Sequence, residues 1–483
     1  MIQQLMKKYA FIALMPLILL SGCGYLQRHT APTVDDLPDS YLQIVQAGKY
    51  EDTVWWPMFE DSSLDNMIDR ALTENLTIER SLANLDRYRA GKRAARATIL
   101  PTVSVAGNYT NGESQFSPQF PANDLEYYDV RATASYEVDL WGKLYSQRGA
   151  AYADMIASEN DLRATLLTVT AQVGRTYFAT VELRAQQKLL EQTVKSYEDY
   201  LSLVEERYTR GIVTSLDVYQ AQSNLAQSKA RKAAIDASLA TVEHALSVLL
   251  GRYPQTGISG ALDELPKAIE EIQAGLPSEL MLRRPDVRAA HARLAAADLR
   301  WASANADRFP KLTLTGTGSN ISEELEDALD PDNLLWNFVA GITVPLFESG
   351  RRQAVAQQAE AGYRELAASY KQTLLNAFRE VEDALVMGAK QKEKITHLEM
   401  QADAAENSLR RATDQYLQGI SDYLPVLLAQ TGQYNAQSSL LTARRELIDY
   451  RIDLATALGG GWTDDIIEAY ALTREIHRET SQK

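Results

Sequence analysis

The sequence predicts a mainly α chain with membrane β-strands, built from two copies of one half-molecule. Three observations carry that reading. The chain repeats itself about 208 residues apart: Tyr208-Thr209-Arg210-Gly211 returns as Tyr416-Leu417-Gln418-Gly419, and Leu250-Gly251 returns as Leu458-Gly459. A period this long marks a duplicated half, not a solenoid unit of about 20–50 residues. Each half also carries two short segments of alternating polarity, followed by two very long segments of helical periodicity. Two strands per half give four per chain, too few to close a barrel. The chain is therefore expected to complete itself with copies of itself.

Composition narrows the class. The 483 residues carry a net charge of −15 and a sequence pI near 5.0, which speaks against nucleic acid as a partner because phosphate binding needs a basic face. Local basic pairs such as Lys92-Arg93 and Arg351-Arg352 read as solvated helix surface. Mean hydropathy is −0.28, and no apolar run of about 18 residues follows the N-terminus, so no later transmembrane helix is expected. Lys7 and Lys8 precede an apolar run from Tyr9 to Leu20, then Leu20-Ser21-Gly22-Cys23. A basic start, a short apolar core and small residues at the cut make residues 1–22 a secretory signal. Cys23 is the only cysteine, so no internal disulfide can form. The four residues resemble a bacterial lipobox, in which the cysteine takes a diacylglyceryl thioether and becomes the acylated mature N-terminus. Gly24 follows, not the aspartate that retains lipoproteins in the inner membrane, which favours the outer membrane.

The elements follow in order. Residues 23–60 read as a polar linker, 61–270 as the first repeat, 271–462 as the second and 463–483 as a tail. Helical periodicity starts near Leu64 and ends at Pro101, which opens a strand running to Tyr109. In the next strand Val130, Ala132, Ala134, Tyr136 and Val138 fall on one face, and Arg131, Thr133, Ser135, Glu137 and Asp139 on the other. Period two of this kind suits a membrane barrel with a wet lumen, the lesser alternative being a half-buried strand of a soluble sheet. The second half repeats the pattern in Leu312, Leu314 and Gly316, then in Phe338, Ala340, Ile342, Val344 and Leu346, beginning from Pro310. Polar loops are expected over Asn111–Leu125 and Asn320–Leu335.

Residues 122–253 contain no proline. Leu162, Leu166, Val169, Val173 and Thr176 begin a 4-3 spacing that continues to Tyr208, and Tyr370 to Tyr416 match it. Sustained heptads predict left-handed coiled-coil packing. From Ser146 to Tyr208, at 1.5 Å per residue, one helix would be roughly 95 Å long. Each long helix is expected to stop at a tip glycine, Gly211 or Gly419, with Thr214, Ser215 or Ser421 capping the helix that returns.

No catalytic pattern is present. The five histidines are scattered, there is no Gly-rich phosphate loop, and Cys23 is committed to lipid, so neither a metal centre nor an enzyme is expected. Trp55-Trp56-x-x-Phe59-x-Asp61-x-x-Leu64, Leu282-Arg283-Arg284-Pro285-Asp286-Val287 and Ala457-Leu458-Gly459-Gly460-Gly461-Trp462 resemble the landmarks of TolC-like outer-membrane efflux proteins, in the lipoprotein branch serving resistance-nodulation-division pumps. The resemblance covers essentially the whole mature chain. It implies a homotrimer whose 12-stranded outer-membrane barrel continues into a periplasmic coiled-coil tunnel, with a periplasmic adaptor and an inner-membrane pump as partners. It implies no enzymatic activity and no cofactor beyond the lipid on Cys23.

The same resemblance points to the tunnel tip. Tyr208 and Tyr416 match the tyrosine before each tip glycine, and Asp217 matches an acidic position at the aperture. Pro425 and Leu428 stand where acidic residues are common, with Asp422 close by. Hydrogen bonds and ion pairs among Tyr208, Asp217, Tyr416 and Asp422 are expected to hold the tip shut; the plainer reading is that both tyrosines end the heptad seam. Arg210, Gly211, Gly419 and Ser421 are the expected adaptor contacts. The rival readings are the exit duct of a type I protein secretion system and a pore-less coiled-coil envelope scaffold.

Overall fold

Alternating polarity produces four antiparallel strands in one sheet: β1 (Thr102–Ser114), β2 (Asn123–Val138), β3 (Lys311–Ser322) and β4 (Leu335–Thr343), in the order β1-β2-β3-β4. The computed structural model describes residues 54–114, 123–258, 264–266, 283–459, 462–464 and 466–467, with His29 and Pro32. The signal segment, Cys23, Leu282, Gly460 and Gly461 lie outside the described residues. Two compact units emerge, one comprising described residues within 1–33, 84–159 and 289–371, the other those within 34–83, 160–288 and 372–483.

In the first unit the register puts the apolar positions of all four strands on one face. Val103 faces Ala134, which faces Gly316, which faces Phe338; Val138 faces Leu312, which faces Ile342. Val103, Val105, Phe338 and Ile342 are each more than 60% exposed. The opposite face carries rows such as Ser104, Thr133, Thr317 and Asn337. β1 and β4 each have one sheet neighbour among the described residues.

Four strand boundaries differ from expectation. Asn111–Ser114 and Asn123–Leu125 are strand, not loop. The ladder continues through these polar residues, pairing Asn111 with Glu126, Gly112 with Leu125 and Ser114 with Asn123, just beyond the Tyr109 hydroxyl's bond to Glu126 Oε1 at 3.0 Å. β3 likewise runs to Ser322 before two short 3₁₀ turns, Glu326–Leu329 and Pro331–Asn333. β4 stops at Thr343, short of Val344 and Leu346, because Pro345 has no N–H to extend the ladder.

Where strand gives way to helix, one carboxylate gathers the chain. Asp307 receives Lys143 at 2.7 Å, Lys311 at 3.1 Å and Arg352 Nη1 at 2.6 Å. Trp141 stacks on Phe309 and donates Nε1–H to the Pro310 carbonyl at 2.7 Å.

The helices are α1 (Ser62–Glu74), α2 (Leu76–Ala97), α3 (Lys143–Thr209), α4 (Ser215–Leu249), α5 (Pro285–Ala306), α6 (Arg351–Leu417) and α7 (Leu424–Ala457). The periodic stretch near Leu64 is two helices, because Asn75 leaves helical geometry and donates Nδ2–H to the Leu249 carbonyl at 2.8 Å. α3 and α6 are both 67 residues long, and their first residues, Lys143 and Arg351, lie 208 apart. Seam residues Leu162, Leu166, Val173 and Val204 are fully buried, as is Val381 in α6.

In the second unit the three sequence landmarks converge. Trp56 meets Trp462 edge-on at 5.0 Å, Phe59 packs on Phe178 at 4.6 Å, and Asp61 caps α1 while accepting the Tyr177 hydroxyl. Buried Arg284 forks onto Asp286 and reaches Glu380 and the Ala457 carbonyl. α3 is tied to α7 by polar contacts: Arg175 to Asp453, Glu182 to Arg445 and Thr442 at 2.6 Å each, and Gln186 to the Ser438 carbonyl at 3.0 Å.

Asp449 sits among these contacts. Burial pushes its carboxyl up to about 6, against the opposing pull of Arg445 and Arg175. The folded chain thus holds this proton more tightly than the unfolded chain. The penalty for ionising Asp449 in place is absent below about pH 4 and complete above about pH 6, worth about 3 kcal/mol. Asp449→Asn is expected to raise the melting temperature at pH 7.5 and to leave it near the parent's at pH 4. Thermal unfolding of both proteins at the two pH values checks this.

Candidate functional site

Both long helices end in the same way. Gly211 and Gly419 take φ of +71° and +72°, where an L side chain is strained and a glycine is not. Gly211 N–H donates to the Tyr208 carbonyl and Ile212 N–H to that of Arg207; Gly419 and Ile420 do the same toward Tyr416 and Gln415. These paired bonds satisfy carbonyls the helix end leaves open.

The returning helices start differently. Thr214 precedes α4, and Asp217 Oδ2 accepts from both its backbone N–H and its hydroxyl at 2.8 Å. This is a capping box, so the Asp217 carboxylate is spent within its own hairpin. α7 begins instead at Leu424, with Tyr423 at the cap position and Pro425 in the first turn. Ser421 does not cap it, and its hydroxyl is buried without a hydrogen-bond partner.

Between the hairpins lies a small core of Val204, Ala221, Ala412, Tyr416, Tyr423 and Val426. The rings of Tyr416 and Tyr423 meet at 5.6 Å, and Tyr200 lies 6.1 Å from Tyr423 while bonding Thr413 at 2.7 Å. Arg207 of α3 covers the Tyr416 ring, 4.4 Å from its centroid, and donates to the Tyr416 and Leu417 carbonyls at 3.2 and 3.4 Å. Those carbonyls form the negative end of α6, so the guanidinium closes a helix terminus and a cation–π contact together.

The expected hydrogen-bonded group of four is not assembled within one chain. Tyr416 is 2% exposed, and among the described residues its hydroxyl makes no hydrogen bond to Tyr208, Asp217 or Asp422; Tyr208 on the matching turn is 48% exposed. Asp422 is exposed, and Asp217 serves Thr214. Arg210 is exposed and pairs with Glu206. Sequence reasoning missed Arg207, Tyr200 and Tyr423, although Tyr423 stands one heptad beyond Tyr416. Ile212, Leu216, Tyr219, Ile420, Leu424 and Leu428 give both hairpins an exposed apolar fringe. Among the described residues no cluster of His, Cys, Asp or Glu could hold a metal.

A long two-repeat α-chain with a four-stranded sheet and glycine-closed hairpins fits a recognised family. The sequence model of the outer membrane efflux protein family matches residues 67–252 and 276–460. The chain belongs to this family. The family is one of outer membrane efflux channels, not a family of enzymes. The chain is similar to the solvent efflux pump outer membrane protein SrpC of Pseudomonas putida, 29% identical over 465 residues that cover 94% of this chain and 99% of SrpC. It is 28% identical to the probable outer membrane lipoprotein SilC of Salmonella typhimurium over 470 residues, covering 95% and 100% of the two chains. The open-state crystal structure of the Neisseria gonorrhoeae MtrE outer membrane channel superposes with a TM-score of 0.79 at 27% identity, covering 90% and 98%.

The two tip chemistries predict opposite effects a few residues apart. Tyr423→Phe removes a buried unpartnered hydroxyl, whose ionisation burial already drives well above the ordinary tyrosine range; it should raise unfolding stability by about 1 kcal/mol. Gly419→Ala should lower it by about 1–2 kcal/mol through left-handed strain. Denaturant unfolding followed by circular dichroism measures both.

Proposed function

We propose that this outer membrane efflux protein is the trimeric exit duct of a tripartite pump, passing small toxic compounds outward from a periplasmic adaptor and an inner-membrane pump of the resistance-nodulation-division class. The observation that carries the reading is the exposed apolar sheet face bounded by β1 and β4. Edges in hydrocarbon cost several kcal/mol per unsatisfied backbone group. Three copies supply 12 strands, which close a barrel and turn the apolar face to lipid and the polar face to a wet lumen. Family membership supports efflux over protein secretion, and the sheet argues against a pore-less scaffold.

Cys23 carries the lipid in this reading, and the likeness to a lipoprotein relative supports it. The exposed apolar fringe of the hairpins suits an adaptor, and the cargo class follows the relatives, whose names include solvent efflux. The tip acts as the gate, with Arg207 holding the end of α6 against α3. Any such latch must be modest, or a partner could not shift it.

Planar-bilayer conductance of the purified particle tests the duct and the gate together. The particle should weigh as a trimer and conduct; a conducting monomer or dimer sinks the barrel. Arg207→Ala, which loses about 1–2 kcal/mol of cation–π and charged hydrogen bonding, should raise open probability about tenfold. Tyr416→Phe should raise it far less than Arg207→Ala, because the guanidinium keeps its place on the ring and on the carbonyls that end α6. Unaltered gating in a folded Arg207→Ala trimer would place the gate elsewhere. Mass spectrometry of the mature N-terminus should find diacylglyceryl on Cys23.

A further inference from the structure

A cleft of about 510 Å³ opens in the second unit between α3, the start of α5, α6 and α7, and neither the sheet nor the tip uses it. Small residues make the room. Ala171, Ala384 and Ala457 lie with Leu167 on its floor, each no more than 6% exposed. Protein interiors keep few voids larger than a water molecule, so a space of this size sets the region apart from the close-packed seams beside it. The mouth has the opposite character. Asp286, Glu380, Asp383 and Asp453 stand around it with side chains 41–61% exposed. Two guanidiniums face these four carboxylates. Arg284 reaches Asp286 and Glu380 at 2.7 Å each, and Arg175 binds Asp453. Asp383 turns to Arg379 at 3.0 Å, an exposed pair of the kind that holds weakly. The mouth therefore carries a surplus of negative charge above an apolar floor, and Tyr450 and Met387 complete the wall.

Charge and shape together select the ligand. An anion meets the surplus of carboxylates, and a neutral apolar body would strip water from them without replacing it. Among the described residues no group of His, Cys, Asp and Glu comes together to hold a metal. An organic cation with an apolar body answers both surfaces, and pockets of about 300–1,000 Å³ enclose small molecules of that kind. We propose that this cleft binds one amphipathic organic cation, its charged head at Asp383 and its apolar body over Ala171 and Ala384. The Tyr450 ring adds a face that attracts positive charge. A bound cation touches α3 of the first repeat and α5, α6 and α7 of the second, so occupancy stabilises their mutual setting by mass action. The inference stands apart from the exit-duct reading, since binding is measured without a pore.

Ethidium, a permanent cation on a flat apolar ring system, is the probe. Its fluorescence anisotropy is titrated with the full-length protein in neutral detergent, with empty micelles as the blank. Saturable binding is expected. Asp383→Asn removes a charge that ties no buried group and should weaken binding about fivefold. Thr168→Trp fills the cleft from its exposed rim and should weaken binding at least about tenfold. Circular dichroism melts that match the parent's, without ligand, confirm that both variants fold. Phenanthridine, the uncharged parent ring, should compete at least about tenfold more weakly than unlabelled cation. Binding no greater than to empty micelles, or parent affinity in folded Thr168→Trp, overturns the cleft. Parent affinity in folded Asp383→Asn, or equal competition by phenanthridine, overturns the cationic ligand. A protein that binds ethidium and passes no current keeps the cleft and loses the duct.

Discussion

An N–H or C=O at a strand edge in hydrocarbon has no water to bond, and that constraint governs the chain. Among the described residues β1 and β4 are the edges of the sheet, and in the proposed trimer each is completed by the sheet of a neighbouring copy. The same constraint forces the apolar positions of four strands into one register, because a slip of one residue would bury polar side chains in lipid. It also fixes where the strands must stop. Pro345 ends β4, and Asp307 with its three cations ties the chain together where strand gives way to helix.

The tip of the helical unit obeys the opposite logic. There Tyr416, Tyr423 and Ser421 bury hydroxyls that lack a well-formed hydrogen bond among the described residues. Each costs about 1–3 kcal/mol that a more apolar tip would not incur. Arg207 offsets part of that cost by closing the end of α6. For the gate proposed above, this balance leaves the tip able to change shape when a partner binds.

Much of this was legible in the sequence, for a physical reason. Strand faces and heptad seams are periodic, so Val130 to Val138 and Leu162 to Val204 announced their burial or alternation within a short window. The hairpins were legible because glycine alone enters left-handed backbone freely. The strand boundaries were misread where polar residues such as Tyr109 and Glu126 satisfy each other across the ladder. Arg207 with Tyr416, and His29 with Asp298, join residues 209 and 269 positions apart. A single pair of that separation leaves no periodic trace. Asp217 was read as an aperture acid; within the chain its carboxylate also completes the capping box of α4 with Thr214, a pairing the resemblance did not suggest.

The polar ties between α3 and α7 have one more consequence. A seam of Leu, Val, Thr and Ala looks nearly the same after a slide of one heptad, about 10 Å along the axis. Arg175 with Asp453, Glu182 with Arg445, and Gln186 with Ser438 do not, because each bond has one mate and one direction. They act as the teeth of a rack: the two helices keep their vertical setting, and whatever motion the seam permits is a roll or a tilt, never a ratchet.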